Sequence, residues 1–187
     1  MMKNMQSTKQ AGFTLVEIMM AMAIFTFMLL VVSLAYINIA RLYSASTAAR
    51  NVQQNNRFAM EQMTRVARTS NSVTPSQTDS TGAITSLCFS GGTLFYVVNG
   101  ELRQAQVNGC VPPADNKYQV LTSPGVSVAR FEADTSAKGT VTMRMWMTSR
   151  VDLLDIRDPA KLTCKTGAGS EFCAINKLET TVAYRGN

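Results

Sequence analysis

A carboxylate at the head of an apolar run, four thiols and a complete lack of imidazole bound the chemistry open to this chain. Its 187 residues contain no His, so the usual base for a Ser or Cys nucleophile is missing. No phosphate-cradling glycine loop and no GxGxxG turn occurs in it. The cysteines, Cys88, Cys110, Cys164 and Cys173, lack the C-x₂-C spacing of a zinc knuckle. Met143, Met145 and Met147 could offer thioethers to a soft metal, but alternating Met in a strand reads first as core filling. Asp152, Asp155 and Asp158 stand three apart, a spacing that could suit calcium; their context reads as readily as a solvated turn before Pro159. No catalytic set, no metal and no cofactor is expected, and hence no enzyme. The residue left over is Glu17, a carboxylate where an uncharged stretch begins, which is costly in a membrane and calls for a partner.

The stretch from Ile18 to Ala40 has no charge, no Pro and no Gly. As a helix it is about 34 Å long, enough to cross a hydrocarbon core of about 30 Å. Lys3 and Lys9 lie before it, which favours an N-terminus on the cytoplasmic side and a body outside. Neither Pro nor Gly occurs between Phe13 and Pro75, so one helix of roughly 55 to 60 residues is expected. Its second half is amphipathic. Ala45, Ala48, Val52, Ala59, Met63 and Val66 form one stripe, and Arg50, Gln54, Arg57, Glu61, Arg65 and Arg68 the opposite one. Glu61 stands four residues from both Arg57 and Arg65, close enough to pair with either.

What precedes the apolar run is Gly12-Phe13-Thr14-Leu15-Val16-Glu17. A secretory signal is cut behind its apolar region; a cut after Gly12 would instead leave that region on the mature chain. Gly12 to Glu17, with the basic leader and the span, resembles the type III signal of type IV pilins and pseudopilins. The resemblance implies cleavage between Gly12 and Phe13 by a prepilin peptidase, N-methylation of Phe13 by the same enzyme, and a role for Glu17 in assembly by pairing with an N-terminal amine. The string Gln54-Asn55-Asn56-Arg57-Phe58-Ala59-Met60-Glu61 is similar to a stretch in PilW-like minor pilins, and Thr180 to Arg185 to the terminal strand of several of them. Minor pilins, and pseudopilins of type II secretion as the alternative, are structural subunits. Their implied partners are other pilins or pseudopilins, an inner-membrane assembly platform and membrane lipid. The implied location is the cytoplasmic membrane, then a cell-surface or periplasmic filament. The organisation expected is a leader at 1–12, a membrane and fibre-core helix at 13–40, its amphipathic continuation at 41–70 and an extracytoplasmic head at 71–187.

The formal charge of +6 could suggest nucleic acid. The excess sits at 41–70, with five Arg against one Glu, while 71–187 holds eleven basic and ten acidic residues. No stacking aromatics are interleaved with these arginines. A membrane-anchored head that binds DNA or a surface ligand is therefore the less favoured alternative, and a solvated or subunit-facing stripe the preferred reading.

Beyond Pro75 the pattern is β. Residues 70–83 read as a loop. Strands are expected at Ile84–Phe89, Thr93–Val98, Glu101–Val107, Tyr118–Thr122, Val126–Thr135, Gly139–Val151 and Glu179–Arg185, with Asn99-Gly100 as a tight hairpin turn. Val141, Met143, Met145 and Met147 alternate with Thr142, Arg144, Trp146 and Thr148. Trp146 would then either anchor a subunit contact or cover the second face. The class expected is α+β, a long helix packed on an antiparallel sheet. An even cysteine count outside the cytoplasm favours disulfides, with three pairings open in principle. Continuing the Asn99-Gly100 register brings Cys110 opposite Phe89, beside Cys88. The loop from Cys164 to Cys173 closes easily through Gly167 and Gly169, a tie worth roughly 2.5 to 3 kcal/mol.

Overall fold

The computed structural model describes residues 12–78, 84–113, 117–137, 139–155, 162–167 and 169–185. It contains two compact units, Met1–Arg41 and Leu42–Asn187. One helix, α1 (Leu15–Thr69), supplies residues to both. The fold is α+β: α1 packs on antiparallel sheets, the arrangement expected from the sequence.

In the first unit α1 buries nothing. Its large apolar side chains, from Phe13 to Ile39, are exposed on every side. In the second unit the same helix buries Val52, Asn56, Ala59, Met60, Met63 and Ala67. These positions recur every three or four residues and so share one face. Ala45, Ala48 and Val66, expected on that face, are half-buried.

Two sheets share the core with that face. The first runs in chain order: β1 (Val73–Thr78), β2 (Ile84–Phe89), β3 (Thr93–Val98), β4 (Glu101–Gln106) and β5 (Gln119–Val120). The second has the order β10–β7–β6, from β6 (Ser127–Asp134), β7 (Thr140–Thr148) and β10 (Ile175–Ala183). A further pair, β8 (Leu154–Asp155) with β9 (Thr163–Cys164), lies in the connection before β10. Leu87, Phe89, Phe95 and Leu102 face α1 from the first sheet, and Phe131, Val141, Met143, Met145, Met147 and Val182 from the second. The three strand methionines are fully buried, so the alternating stripe is core.

Local chemistry explains the registers. Val98 pairs with Glu101 across Asn99-Gly100, whose φ values of 53° and 78° are the left-handed pair a two-residue hairpin turn needs. In β6 an irregularity between Val128 and Arg130 shifts the pairing with β7. Val128 stays inward, opposite Met147, and Arg130 comes outward, opposite Trp146. One extra residue, Ala129, thus decides which side chain meets the tryptophan.

Three expectations need correction. Val73–Thr78, read as part of a loop, is the edge strand β1. Pro75 can sit there because an edge strand can turn a missing N–H away from its neighbour. β10 begins at Ile175, four residues before the expected Glu179. β7 stops at Thr148, and Val151 opens a short 3-10 turn (Val151–Leu153).

Candidate functional site

Residues 12–14 precede the helix, and the first turn is fixed by Thr14 and Glu17. The Thr14 N–H and the Thr14 hydroxyl both donate to Glu17 Oε2, each at 3.1 Å. The Glu17 N–H returns a bond to Thr14 Oγ1 at 3.3 Å. Thr14 is the N-cap and Glu17 the third helical residue, so the pair forms a reciprocal capping box that satisfies two otherwise free amides. The Thr-x-x-Glu spacing before an apolar run is a readable signal for it, separate from the charge and the motif position by which Glu17 stands out in the sequence. Glu17 also faces the positive end of the helix dipole. Beside it, Phe13, Ile18, Ala21, Met22 and Phe25 line a shallow apolar groove.

The run that follows contains few polar groups, and two of these bond internally. Thr26 Oγ1 donates to the Ala23 carbonyl at 2.9 Å, and Ser33 Oγ to the Leu29 carbonyl at 2.7 Å. Such back-bonding removes two hydroxyls that lipid could not satisfy. The helix is long and apolar enough to cross a membrane, and Gly12, Phe13 and Glu17 lie at its start.

In the second unit the Asn55-Asn56 pair holds α1 to the strands. Asn56 is fully buried. Its Nδ2 donates to the carbonyl of Asn176 (3.0 Å) and to Asn176 Oδ1 (2.8 Å), and lies 3.3 Å from the Met145 carbonyl. These partners belong to β10 and β7, so one amide clamps the helix to two strands. Asn55 Oδ1 accepts from the Ser123 N–H at 2.9 Å, which ties the loop after β5. Neither role follows from helical periodicity, which counts Asn as a polar interruption. At the helix end, the Arg185 N–H donates to the Ser70 carbonyl at 2.9 Å, so the strand terminus closes the last turn.

Disulfides join Cys88 to Cys110 (S–S 2.03 Å) and Cys164 to Cys173 (2.07 Å). The first closes a small second core of Cys88, Leu94, Tyr96 and Ala105 on the side of the first sheet that faces away from α1. The second ties β9 to the start of β10. Asp152 is engaged by Arg150 in a two-bond contact of 2.9 and 2.7 Å, which holds its carboxyl below the usual carboxylate range. Asp158 lies outside the described residues.

The outer face of the second sheet is a lattice of compensated charge. Arg130 and Glu132 are 2.6 Å apart, Arg144 and Glu179 3.1 Å, Lys177 and Glu179 3.6 Å. Trp146 lies within it at 7% exposure. Lys177 Nζ is 5.0 Å and the Arg130 guanidinium 5.8 Å from its ring centre. Both distances fit cation–π contacts. The indole therefore covers the second face and is itself covered; it is not an exposed anchor. The charged face of α1 is different. Arg50, Arg57, Glu61, Arg65 and Arg68 are all exposed, and Glu61 pairs with Arg65 at 3.4 Å; the Arg57–Glu61 alternative is not formed.

A family model for the prokaryotic N-terminal methylation motif matches residues 7–33. It spans Gly12, Phe13 and Glu17 and most of the apolar run. No curated protein and no solved structure matches the chain.

Proposed function

We propose that this type IV pilin-like chain is a minor pilin: a structural subunit of a pilus-like filament, cut between Gly12 and Phe13, methylated on Phe13 and assembled through its N-terminal helix. The methylation motif at residues 7–33 carries the reading. The helix that follows it supports the same conclusion, because a helix apolar on all sides needs lipid or another apolar surface around it. The chain is then a substrate of the peptidase and methylase and not an enzyme. Lys3 and Lys9 keep the N-terminus inside, and the second unit lies outside. Glu17 leaves its capping contacts to meet an N-terminal amine as the subunit passes from bilayer to fibre. The lack of a proline in the apolar helix favours a minor over a main subunit.

The test is the intact mass of the protein, with N-terminal peptide mapping, from cells with and without the prepilin peptidase. The expected mature chain starts at N-methyl-Phe13 and disappears without the peptidase. An uncut chain in both strains overturns the reading.

A further inference from the structure

Exposed apolar side chains scattered one by one need no explanation, but those of the second unit are not evenly scattered. Seven large ones are exposed among its described residues, and Leu42, Tyr43, Val151 and Phe172 are four of them. A groove and a set of hydrogen bonds place these four at one end. Tyr43, Ser44 and Thr47 of α1 line the groove with Pro124 and Ser149. Ser149 Oγ donates to the Phe172 carbonyl at 2.7 Å, and the Ala174 N–H donates to Ser149 Oγ at 2.9 Å. Val151, two residues on, opens the 3-10 turn. The other end of the unit lies where α1 finishes: Ser70 meets Arg185 there, and Ser72 meets Ser90. Val111 belongs to that end, since Cys110 is bonded to Cys88, which pairs with Thr74. From Tyr43 to Thr69 the helix is about 39 Å long.

We propose that this end of the second unit rests on the bilayer surface while the apolar run is in the membrane, with Val151 and Phe172 set among the lipid headgroups beside Tyr43. The proposal rests on the reading above in one respect, that the apolar run lies in a bilayer. Connectivity selects lipid as the partner. Ala40 closes the uncharged run and Tyr43 follows three residues later, at most about 11 Å along the chain. The headgroup layer is itself about 5 to 8 Å deep on each side of the hydrocarbon core. Tyr43 therefore stands in or just above that layer, and so does what shares its groove. A ring with a polar tip favours that depth, and Val and Phe side chains gain there by leaving water. Arg150, next to Val151, is 50% exposed. Its guanidinium keeps donors for a headgroup phosphate after pairing with Asp152.

The test uses the full-length chain in its own cells without the prepilin peptidase, where the uncut protein stays in the membrane. A diazirine-bearing residue replaces Val151, Phe172, Val111 or Leu29 in turn. The expected result is phospholipid adducts, identified by mass, from positions 151, 172 and 29, and none from 111. Val111 is the more exposed, at 73% against 53% for Val151 and 39% for Phe172, so exposure by itself predicts the reverse order. A probe at Pro124, exposed in the groove beside Tyr43, also takes lipid. Its yield falls roughly fivefold when Val151 and Phe172 are both changed to Asp. An unchanged thermal midpoint of that variant shows that folding is intact; Val151→Ser with Phe172→Ser replaces it if the midpoint drops. Lipid adducts from 111 equal to those from 151, adducts from 151 and 172 to protein alone, or a yield at 124 unmoved by the double change overturn the proposal. Adducts from 29 with none from 151 or 172 overturn the surface contact and leave the membrane reading standing; none from any position overturns both.

Discussion

The two halves of α1 obey the same helical geometry and meet opposite surroundings. From Leu15 to Arg41 the helix exposes apolar side chains all round; from Leu42 to Thr69 it buries one stripe under two sheets and exposes arginines. Both halves avoid Pro and Gly, so backbone propensity does not separate them. The pattern of side chains does. A stripe with a polar opposite face is completed within the chain, and a helix apolar on every side is completed only by something else. On the proposed function, folding and assembly fall to successive stretches of one helix.

Charged substitutions at matched positions give the sharpest contrast. Met145→Asp places an unpaired carboxylate in the closed core and should cost the second unit about 4 to 5 kcal/mol, read from denaturant unfolding by Trp146 fluorescence. Met22→Asp should leave that unfolding curve unchanged while opposing membrane insertion by about 3 kcal/mol, read as a loss from the membrane fraction. If Met22→Asp also unfolded the second unit, the separation of roles would be wrong. The next largest effect concerns the cross-links. Changing Cys88 and Cys110 together to Ala should cost about 3 kcal/mol, and Cys164 with Cys173 slightly less because its loop is shorter. Equal midpoints for both double variants and the parent would mean that the ties contribute nothing to the unit.

A smaller effect belongs to the helix start. Thr14→Val should lose about 1 kcal/mol of local helix stability, seen as faster amide exchange in the first turn, with Thr14→Ser restoring most of it. The smallest effect is acid sensitivity of the second unit. The Ser136 amide at 2.9 Å from Asp134 and the Arg150 guanidinium beside Asp152 hold both carboxyls below the ordinary Asp value. A carboxyl with a lowered folded value binds protons more readily when unfolded. Its contribution is complete above the ordinary Asp value and fades as pH falls through the lowered one. Asp152→Asn should flatten that acid limb in a pH series of thermal midpoints.

Period and turn chemistry made most of the framework readable. The long helix, the Asn99-Gly100 hairpin and the buried methionines of β7 each follow from a local pattern that packing agrees with. The failures have a common cause in contacts distant along the chain. β1 looks like a loop because Ser, Thr and Pro dominate it, and it becomes a strand only because β2 offers a partner. β10 starts early because Ile175 and Asn176 pair with Thr148 and Met147 of β7, and the carbonyl and side chain of Asn176 also meet Asn56, 120 residues away. Asn56 itself breaks the apolar stripe in the sequence and secures it in the fold. At the N-terminus Gly12, Phe13 and Glu17 read as a motif, and the Thr14-x-x-Glu17 spacing within it is itself the pattern of the capping box that the structure forms.

Gly12 lies in open space: a methyl group added there would meet nothing within 4 Å, and its φ lies outside the left-handed range. Among the described residues nothing requires a glycine at this position. On the proposed function the demand for the smallest residue comes from the peptidase that reads the chain, and a methyl there would be refused by that enzyme. Since the capped turn begins at Thr14, scission before Phe13 would leave the helix starting where it already starts. The event would rewrite the ionic character of the terminus and leave its shape alone.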